Sequence, residues 1–138
     1  MPGNEGVREL VAAARLARER AHAPYSNFAV GAAVMCADGR VFEGCNIENA
    51  SYGLTMCAER VALFSAVAAG CRQIDAIAVV GPDEAPLSPC GACRQVMLEL
   101  APNAEVIMAG EKTRLTRPVR DLLPDAFGEA DLGGRSQT

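Results

Sequence analysis

The chain has 138 residues, half of them hydrophobic, which predicts a single domain with a packed core. A formal net charge of −4, with two Tyr, four Phe and no Trp, does not favour a polynucleotide-binding protein, which usually has a basic face and stacking aromatics. The sequence shows no secretory signal and no apolar run of membrane-spanning length, so we expect a cytoplasmic protein with no membrane partner.

Hydrophobic periodicity along the chain predicts both helices and strands. The first helix has Asn4 as a candidate N-cap, and Ala23-Pro24 would end it. The polar residues 128–138 are predicted to form a loose tail, so that one domain covers residues 1–127. Helices are predicted at 5–21, 57–69 and 90–100, strands at 28–36, 40–48, 73–80, 104–109 and 114–116, and a helical turn within 119–127. Helices alternating with apolar strands predict a mixed sheet covered on both faces.

Three of the six cysteines are interpreted as small buried hydrophobes, namely Cys36, Cys45 and Cys71, since disulfides rarely persist in the cytoplasm. Asp38-Gly39 predicts a two-residue hairpin turn, which would place Cys36 opposite Val41. In that register Cys36 and Cys45 lie roughly 13 Å apart along the strands, which is beyond the reach of a disulfide.

The other three cysteines carry the main chemical pattern, in the motifs Cys57-Ala58-Glu59 and Pro89-Cys90-Gly91-Ala92-Cys93. Three thiolates can hold a zinc ion and leave its fourth position for water, which is the arrangement of a catalytic site. Both motifs fall at predicted helix N-termini, where the helix dipole favours thiolates. Glu59 is two residues from Cys57 and is predicted to move the protons of that water.

Two arginines are candidates to offset the charge of the thiolates. Three thiolates around Zn²⁺ leave one net negative charge, which weakens the metal as a Lewis acid. Arg60 is the first candidate and Arg94 the second, because either guanidinium could hydrogen-bond to a ligand sulfur.

Two other interpretations of the cysteines remain open at this point. Cys90 and Cys93 could form a redox dithiol at a helix start, although that does not account for the motif at Cys57. The site could instead be a structural zinc centre whose fourth ligand is one of the remaining cysteines, although Glu59 would then have no purpose.

Several motifs in order resemble the small, homotetrameric type of cytidine deaminase, and the match covers nearly the whole chain. The matching segments are Ala23-Pro24-Tyr25-Ser26-Asn27-Phe28, Gly44-Cys45-Asn46-Ile47-Glu48-Asn49, Cys57-Ala58-Glu59-Arg60, Ser88-Pro89-Cys90-Gly91-Ala92-Cys93-Arg94-Gln95 and Leu122-Leu123-Pro124-Asp125-Ala126-Phe127. The resemblance implies a three-layer α/β/α sandwich with a five-stranded mixed sheet and one zinc ion per chain. It also implies that Glu59 is the proton shuttle.

The same resemblance implies the substrate contacts. Asn46 and Glu48, two residues apart and so facing the same way on a strand, would hold the ribose and notably its 3′-hydroxyl. Phe28 would pack against the base, and the backbone at Ala58 would contact the pyrimidine edge. Two further residues would complete the active sites of neighbouring subunits, namely Tyr52 and Phe127.

The function implied is hydrolytic deamination of free cytidine and 2′-deoxycytidine by zinc-bound hydroxide, giving uridine or deoxyuridine and ammonia in pyrimidine salvage. Polynucleotides are not expected as substrates. The alternative is a deaminase of blasticidin S or of a modified nucleoside on the same scaffold. Blasticidin S deaminase shares the cysteine ligands but lacks the glutamate found here at Glu48, so Glu48 favours the nucleoside.

Overall fold

The structure is a computed structural model that describes residues 2–133. The principal elements are α1 (Asn4–Arg18), β1 (Gly31–Cys36), β2 (Val41–Cys45), α2 (Ala58–Ala68), β3 (Ile74–Val80), α3 (Gly91–Leu100), β4 (Glu105–Ala109) and β5 (Arg114–Pro118). Short 3₁₀ helices cover Tyr52–Leu54, Val119–Leu122 and Glu129–Leu132. Within the described part of the chain, no helix combines the length and the apolar character needed to cross a membrane.

The strands form one five-stranded sheet in the order β2-β1-β3-β4-β5. The central pair β3 and β4 is parallel, and the other neighbouring pairs are antiparallel. The expected five-stranded mixed sheet is therefore confirmed. β5 lies at one edge, and all of its residues are exposed.

The helices cover the two faces of this sheet and make the expected three layers. On one face, α1 buries Leu10 and Ala14 against Ala78 and Ile107. On the other face, α2 and α3 bury a larger set that includes Leu63, Met97, Val34 and Val79. Because β1 and β3 are buried on both faces, their sequences are apolar almost without interruption.

Two glycines let the helices lie directly on the sheet. A Cβ at Gly44 on β2 would lie 2.5 Å from both the carbonyl oxygen of Ala58 and the backbone nitrogen of Ala62. A Cβ at Gly31 on β1 would lie 2.0 Å from the carbonyl oxygen of Ala14 on α1. No larger residue fits at either position without moving a helix, and Gly44 thereby sets the distance between the sheet and the N-terminus of α2.

The hairpin between β1 and β2 differs from its prediction by one residue in register. Met35 pairs with Val41, whereas the two-residue turn would have placed Cys36 there. Gly39 adopts a left-handed φ of 92° and donates its N–H to the carbonyl oxygen of Cys36 at 2.9 Å. The loop therefore has three residues, 37–39. This is a common hairpin loop, in which the last residue, here Gly39, adopts the left-handed conformation.

Cys36 and Cys71 form a disulfide, which corrects their interpretation as unpaired buried residues. Both are buried, as expected, and the bond joins the end of β1 to the segment after α2. Cys45 is a free, partly buried thiol that donates to the carbonyl oxygen of Arg20, with Sγ and O 3.5 Å apart. The predicted absence of a Cys36–Cys45 bridge is confirmed.

Several boundaries also differ from their predictions. Gly3, and not Asn4, is the N-cap of α1. The helix ends at Arg18, and a turn separates it from Ala23-Pro24. β2 ends at Cys45, so that Asn46 and Glu48 follow the strand. Part of the predicted loose tail is ordered, since Gly128 donates its N–H to Asp131 Oδ2 at 2.8 Å. The rest of that tail, residues 134–138, lies outside the described residues.

Candidate active site

The N-termini of α2 and α3 bring three thiols together. Cys57 is the N-cap of α2, Cys90 is the N-cap of α3, and Cys93 lies in the first turn of α3. Their sulfur atoms all lie within 4.8 Å of one another, and those of Cys57 and Cys90 are 3.7 Å apart. With Zn–S bonds of about 2.3 Å, tetrahedral geometry puts two sulfurs roughly 3.8 Å apart, so the donors fit a zinc ion.

The electrostatics of the thiols also suit a cation. The pKa of Cys57 falls to about 5, first because the Cys93 thiol donates a hydrogen bond to it and further because of Arg60. The pKa of Cys93 is raised, because its proton is held between the two sulfurs and because the thiol is buried. A divalent cation bound between these sulfurs would displace the proton held there and favour the thiolate form of its ligands.

Arg60 is positioned as the sequence predicts. Its Nη2 donates to the sulfur of Cys57 at 3.3 Å, and this contact raises the pKa of the guanidinium. Its Nε is buried and has no hydrogen-bond partner among the described residues. The positive charge of Arg60 thus lies directly against the sulfur of Cys57, where it would offset the charge of a thiolate.

Arg94, the second candidate, does not contact a sulfur in this structure. Its Nε donates to the carbonyl oxygen of Pro89 at 2.9 Å, and its Nη1 donates to that of Leu122 at 2.8 Å. Its Nη2 donates to the hydroxyl of Ser88 at 2.5 Å. Because the side chain points back along the loop that precedes Cys90, Arg94 ties this loop to the 3₁₀ turn at 119–122 instead of binding a sulfur.

Glu59 is the buried charged residue of the described chain, with 4% of its surface exposed. It lies in the first turn of α2, two residues after Cys57. Burial raises its pKa to about 7; the nearby Cys57 thiolate also raises it, whereas a hydrogen bond from the backbone N–H of Glu59 itself lowers it. A carboxyl group with a pKa near neutrality can both accept and return a proton, as general acid–base catalysis requires.

A cavity of about 390 Å³ opens in front of these groups. It is lined by four segments of the chain, at 26–30, 46–48, 55–59 and 87–90. The sequence-predicted residues that line it are Phe28, Asn46, Glu48, Cys57, Ala58, Glu59 and Cys90. The fold therefore places four of the six predicted substrate residues on one cavity with Glu59, and Cys93 is buried behind it.

Asn46 and Glu48 are held by the segment that carries Phe28. Asn46 Oδ1 accepts from the N–H of Val30 at 2.9 Å, and its Nδ2 donates to the carbonyl oxygen of Phe28 at 2.8 Å. Glu48 Oε1 accepts from the N–H groups of Tyr25 and Ser26 at 2.9 and 3.1 Å. The Ser26 hydroxyl donates to Glu48 Oε2, and this bond is the main cause of a lowered Glu48 pKa.

Several lining residues were not singled out from the sequence, namely Ser26, Val30, Thr55, Met56, Leu87 and Ser88. Ser26 could have been found, because a serine two residues before Phe28 can accept that residue's N–H and form a turn. The apolar lining residues show no local sequence pattern that marks them as part of a cavity. Leu87, for example, is indistinguishable in sequence from a core residue.

Tyr52 and Phe127 lie apart from the thiols in this chain. Tyr52 is 74% exposed and stacks edge-on against Tyr25 with ring centroids 6.0 Å apart. It borders a second cavity, which shares Ser26, Glu48 and Thr55 with the first. Phe127 is 62% exposed, and its carbonyl oxygen accepts from Gln95 Nε2 at 2.8 Å. Both side chains are thus largely exposed in this chain.

The same geometry bears on whether a fourth cysteine could make this a structural zinc centre. Cys36 and Cys71 are bonded to each other, and Cys45 is engaged with the backbone of Arg20. Of the described residues, the group able to hold a metal contains Cys57, Cys90 and Cys93. The remaining cysteines are therefore committed elsewhere and do not supply a fourth ligand, which argues against a purely structural zinc centre.

Comparison with known proteins gives a consistent result. Residues 5–109 match the model of a family described as the cytidine and deoxycytidylate deaminase zinc-binding region. The chain is 51% identical over 127 residues to a cytidine deaminase from Halalkalibacterium halodurans, covering 89% of this chain and 95% of the relative. A crystal structure of cytidine deaminase from Burkholderia pseudomallei is 58% identical, with a TM-score of 0.84, over 87% of this chain and 98% of that one. The cytidine deaminase of Mycobacterium tuberculosis is 43% identical, with a TM-score of 0.79, over 88% and 97% of the two chains.

Proposed function

The chain belongs to the cytidine and deoxycytidylate deaminase family, and we propose that it deaminates free cytidine and 2′-deoxycytidine. Water adds to C4 of the pyrimidine, the bond from C4 to the exocyclic nitrogen breaks, and uridine or deoxyuridine leaves with ammonia. The observation that carries this proposal is the buried carboxyl of Glu59, which shares one cavity with the thiol cluster, Asn46 and Glu48.

Cys57, Cys90 and Cys93 would hold the zinc ion that the family region binds. When bound, zinc supplies the Lewis acidity that allows water to lose a proton near neutral pH. The protein supplies the thiolates, favoured by the two helix N-termini. Arg60 reduces their combined charge through its bond to Cys57, which preserves the acidity of the metal.

Glu59 moves the protons of the reaction. It accepts one from water, delivers it to N3 of the ring, and then transfers the second to the departing amine. Its burial excludes bulk water as a competing proton source, and its pKa of about 7 suits both directions of transfer. Ala58, fully buried beside it, presents its backbone to the pyrimidine edge.

Asn46 and Glu48 select the substrate by holding the ribose, and Phe28 packs against the base. These three side chains line the cavity together with Glu59, so one bound nucleoside could contact all four residues at the same time. Glu48 also favours a nucleoside over blasticidin S, the alternative substrate. A hydroxyl-binding pair at the 3′ position disfavours internal positions of a polynucleotide, where that oxygen is esterified.

The active unit in this proposal is a homotetramer in which neighbouring subunits complete each site. Support comes from the exposure of Tyr52 and Phe127, since large uncovered aromatic side chains favour an interaction surface. The proposed setting is pyrimidine salvage in the cytoplasm. The Cys36–Cys71 bond is unusual for that compartment, which makes its redox state in the cell an informative measurement.

The test is a cytidine-to-uridine absorbance assay on zinc-replete protein, with Glu59→Gln measured beside the wild type. We expect turnover in the wild type and a loss of about 10²-fold or more in Glu59→Gln, with zinc still bound, because proton transfer is removed but the ligands remain. Glu99→Gln, an exposed change on α3, is the matched control and should keep full activity.

Two results would contradict the proposal. Wild-type protein with one zinc per chain and no cytidine turnover would discard the substrate and lead to assays with blasticidin S and modified nucleosides. Near-normal activity in Glu59→Gln would discard the role of Glu59.

A further inference from the structure

We propose that Ser26 is a positioning residue, whose hydroxyl aims the carboxylate of Glu48 at a single hydroxyl of the substrate. The inference rests on the proposed function, since it concerns how the nucleoside is held. It assigns Ser26 no part in the chemistry at C4.

The Ser26 hydroxyl bridges two groups that face the substrate. It accepts a hydrogen bond from the backbone N–H of Phe28 at 3.0 Å. It donates its one proton to Glu48 Oε2. Asn27, between Ser26 and Phe28, has a left-handed φ of 57°, which folds the segment tightly enough for both bonds to form. The hydroxyl therefore couples the position of Phe28 to that of Glu48.

The hydrogen bonds of Glu48 leave it little spare capacity. A carboxylate oxygen accepts about two hydrogen bonds. Oε1 is already filled by the N–H groups of Tyr25 and Ser26. Oε2 accepts from the Ser26 hydroxyl and keeps one position open. Glu48 can thus accept from one substrate hydroxyl, in a direction that Ser26 determines.

Asn46 has one hydrogen-bond donor left, which complements the open acceptor position on Glu48. Its Oδ1 accepts from Val30, and one of the two protons on Nδ2 goes to the carbonyl oxygen of Phe28. One donor on Nδ2 therefore remains. A hydroxyl that donates to Glu48 Oε2 and accepts from Asn46 Nδ2 would satisfy both residues, and the 3′-hydroxyl shared by cytidine and 2′-deoxycytidine is such a group.

Loss of the Ser26 hydroxyl should have two separable effects. The N–H of Phe28 would lose its acceptor, which would disturb the base for every substrate. Glu48 would lose the bond that orients Oε2, which would matter only for substrates that carry the recognised hydroxyl. The role as a positioning residue for Glu48 therefore predicts a dependence on the substrate that a merely structural role does not.

The experiment is a cycle of two enzymes and two substrates. Wild type and Ser26→Ala are assayed with cytidine and with 3′-deoxycytidine. We expect Ser26→Ala to raise KM for cytidine about tenfold with little change in kcat, because a bond to a charged group is lost in binding and not in chemistry. For 3′-deoxycytidine, which already lacks the hydroxyl, the same change should raise KM clearly less, because only the effect on Phe28 remains.

An isosteric pair isolates the hydroxyl from effects on folding. Ser26→Thr keeps the hydroxyl and should retain the wild-type KM for cytidine relative to Ser26→Val, which has the same shape without it. Thermal melts of all variants show that the proteins compared are folded.

Equal losses on the two substrates would overturn the proposal and leave Ser26 as a support for Phe28 alone. No loss on cytidine in either Ser26→Ala or Ser26→Val would also overturn it. A wild type that fails to deaminate cytidine would overturn the proposed function together with this inference, whereas the first two results leave the proposed function intact.

Discussion

Arg60 and Arg94 both lie within one helical turn after a cysteine of the metal motifs, yet they have different contacts. Arg60 lies three residues after Cys57, one helical turn on, and its guanidinium reaches back to the sulfur. Arg94 follows Cys93 and turns away toward the backbone of Pro89 and Leu122. The sequence allowed both candidates, with Arg60 first and Arg94 second, and the path of the neighbouring loops distinguishes their contacts.

Arg60→Gln should weaken zinc binding about 10- to 100-fold, because the Cys57 thiolate loses its charged hydrogen-bond donor. Zinc affinity can be measured by competition with a chromogenic chelator. Arg117→Gln, an exposed change on β5, serves as the control for loss of one positive charge. Equal zinc affinity in Arg60→Gln and Arg117→Gln would show that Arg60 does not support the ligand.

At the scale of the elements, α2 is the helix that carries the chemistry, and Gly44 fixes how closely it approaches the sheet. The Cβ of any other residue there would meet backbone atoms of α2, and backbone cannot swing aside as a flexible side chain can. Gly31 has the same relation to α1, which carries no site residue. The same substitution at the two glycines would therefore displace a helix that carries the site, α2, or one that does not, α1.

Gly44→Ala and Gly31→Ala should each lower the free energy of unfolding by about 1–3 kcal/mol or more, because each forces a helix off the sheet. Only Gly44→Ala should also reduce zinc affinity and activity, since it moves the end of α2 that carries Cys57 and Glu59. Denaturant titrations and metal competition measure the two effects. Gly128→Ala, which meets nothing within 4 Å, is the control. Equal effects of the two changes on zinc would contradict this account.

The disulfide fixes the other end of α2. Cys36 and Cys71 close a loop with a sequence separation of 35, which stabilises a folded chain by about 3–4 kcal/mol through the entropy of the unfolded state. We expect the double variant Cys36→Ala, Cys71→Ala to lose that amount in denaturant unfolding. Its turnover should be unchanged, since the bond lies at the end of α2 far along the helix from Cys57.

A thiol count provides an independent check of the disulfide. All six cysteines lie within the described residues, and four of them carry free thiols. Denatured, metal-free protein should therefore give four reactive thiols without reductant and six with it. Six thiols in both conditions would contradict the bond.

Much of the fold was accessible from local pattern. The apolar runs at β1 and β3, the left-handed Gly70 after α2 and the cysteine caps of α2 and α3 all follow from short-range chemistry. The disulfide was not predictable, because it depends on where α2 ends relative to β1. The hairpin register was missed because Asp38-Gly39 suits turns of either two or three residues, and only the pairing of Met35 with Val41 decides between them.

The thiol cluster and the adjacent Glu59 were predictable from the sequence, and the residues around them less so. Cys57, Glu59, Cys90 and Cys93 stand in short motifs whose spacing carries the chemistry. The positions of the other lining residues depend on how four separate segments meet at one cavity. No local spacing predicts that meeting, which is why Ser26 had no assigned role before the structure placed it against Glu48.

At the scale of the whole molecule, the exposed aromatic side chains allow a test of the proposal that neighbouring subunits complete each other's active sites. If Phe127 serves a neighbouring subunit, Phe127→Ala should lower activity without weakening zinc binding in its own chain. Mixed tetramers of Phe127→Ala and Glu59→Gln subunits should then regain part of the activity, because some sites combine a working Glu59 with an intact Phe127. Light scattering measures the assembly, and the cytidine assay measures the recovery.

Mixtures of Phe127→Ala with Phe127→Ala and of Glu59→Gln with Glu59→Gln are the controls, and neither should recover. A monomer in light scattering, or an absence of recovery after proven exchange of subunits, would contradict shared sites.

The edge strand β5 has a consequence for the solution behaviour of the protein. An exposed edge offers unpaired backbone groups to any other chain, and natural proteins discourage such pairing with charge and proline. β5 carries Arg114 and Arg117, which would repel the same strand of a second copy, and it ends in Pro118, which lacks an N–H. Uncontrolled strand addition, and with it amyloid-like aggregation, is thus opposed at this edge of the sheet.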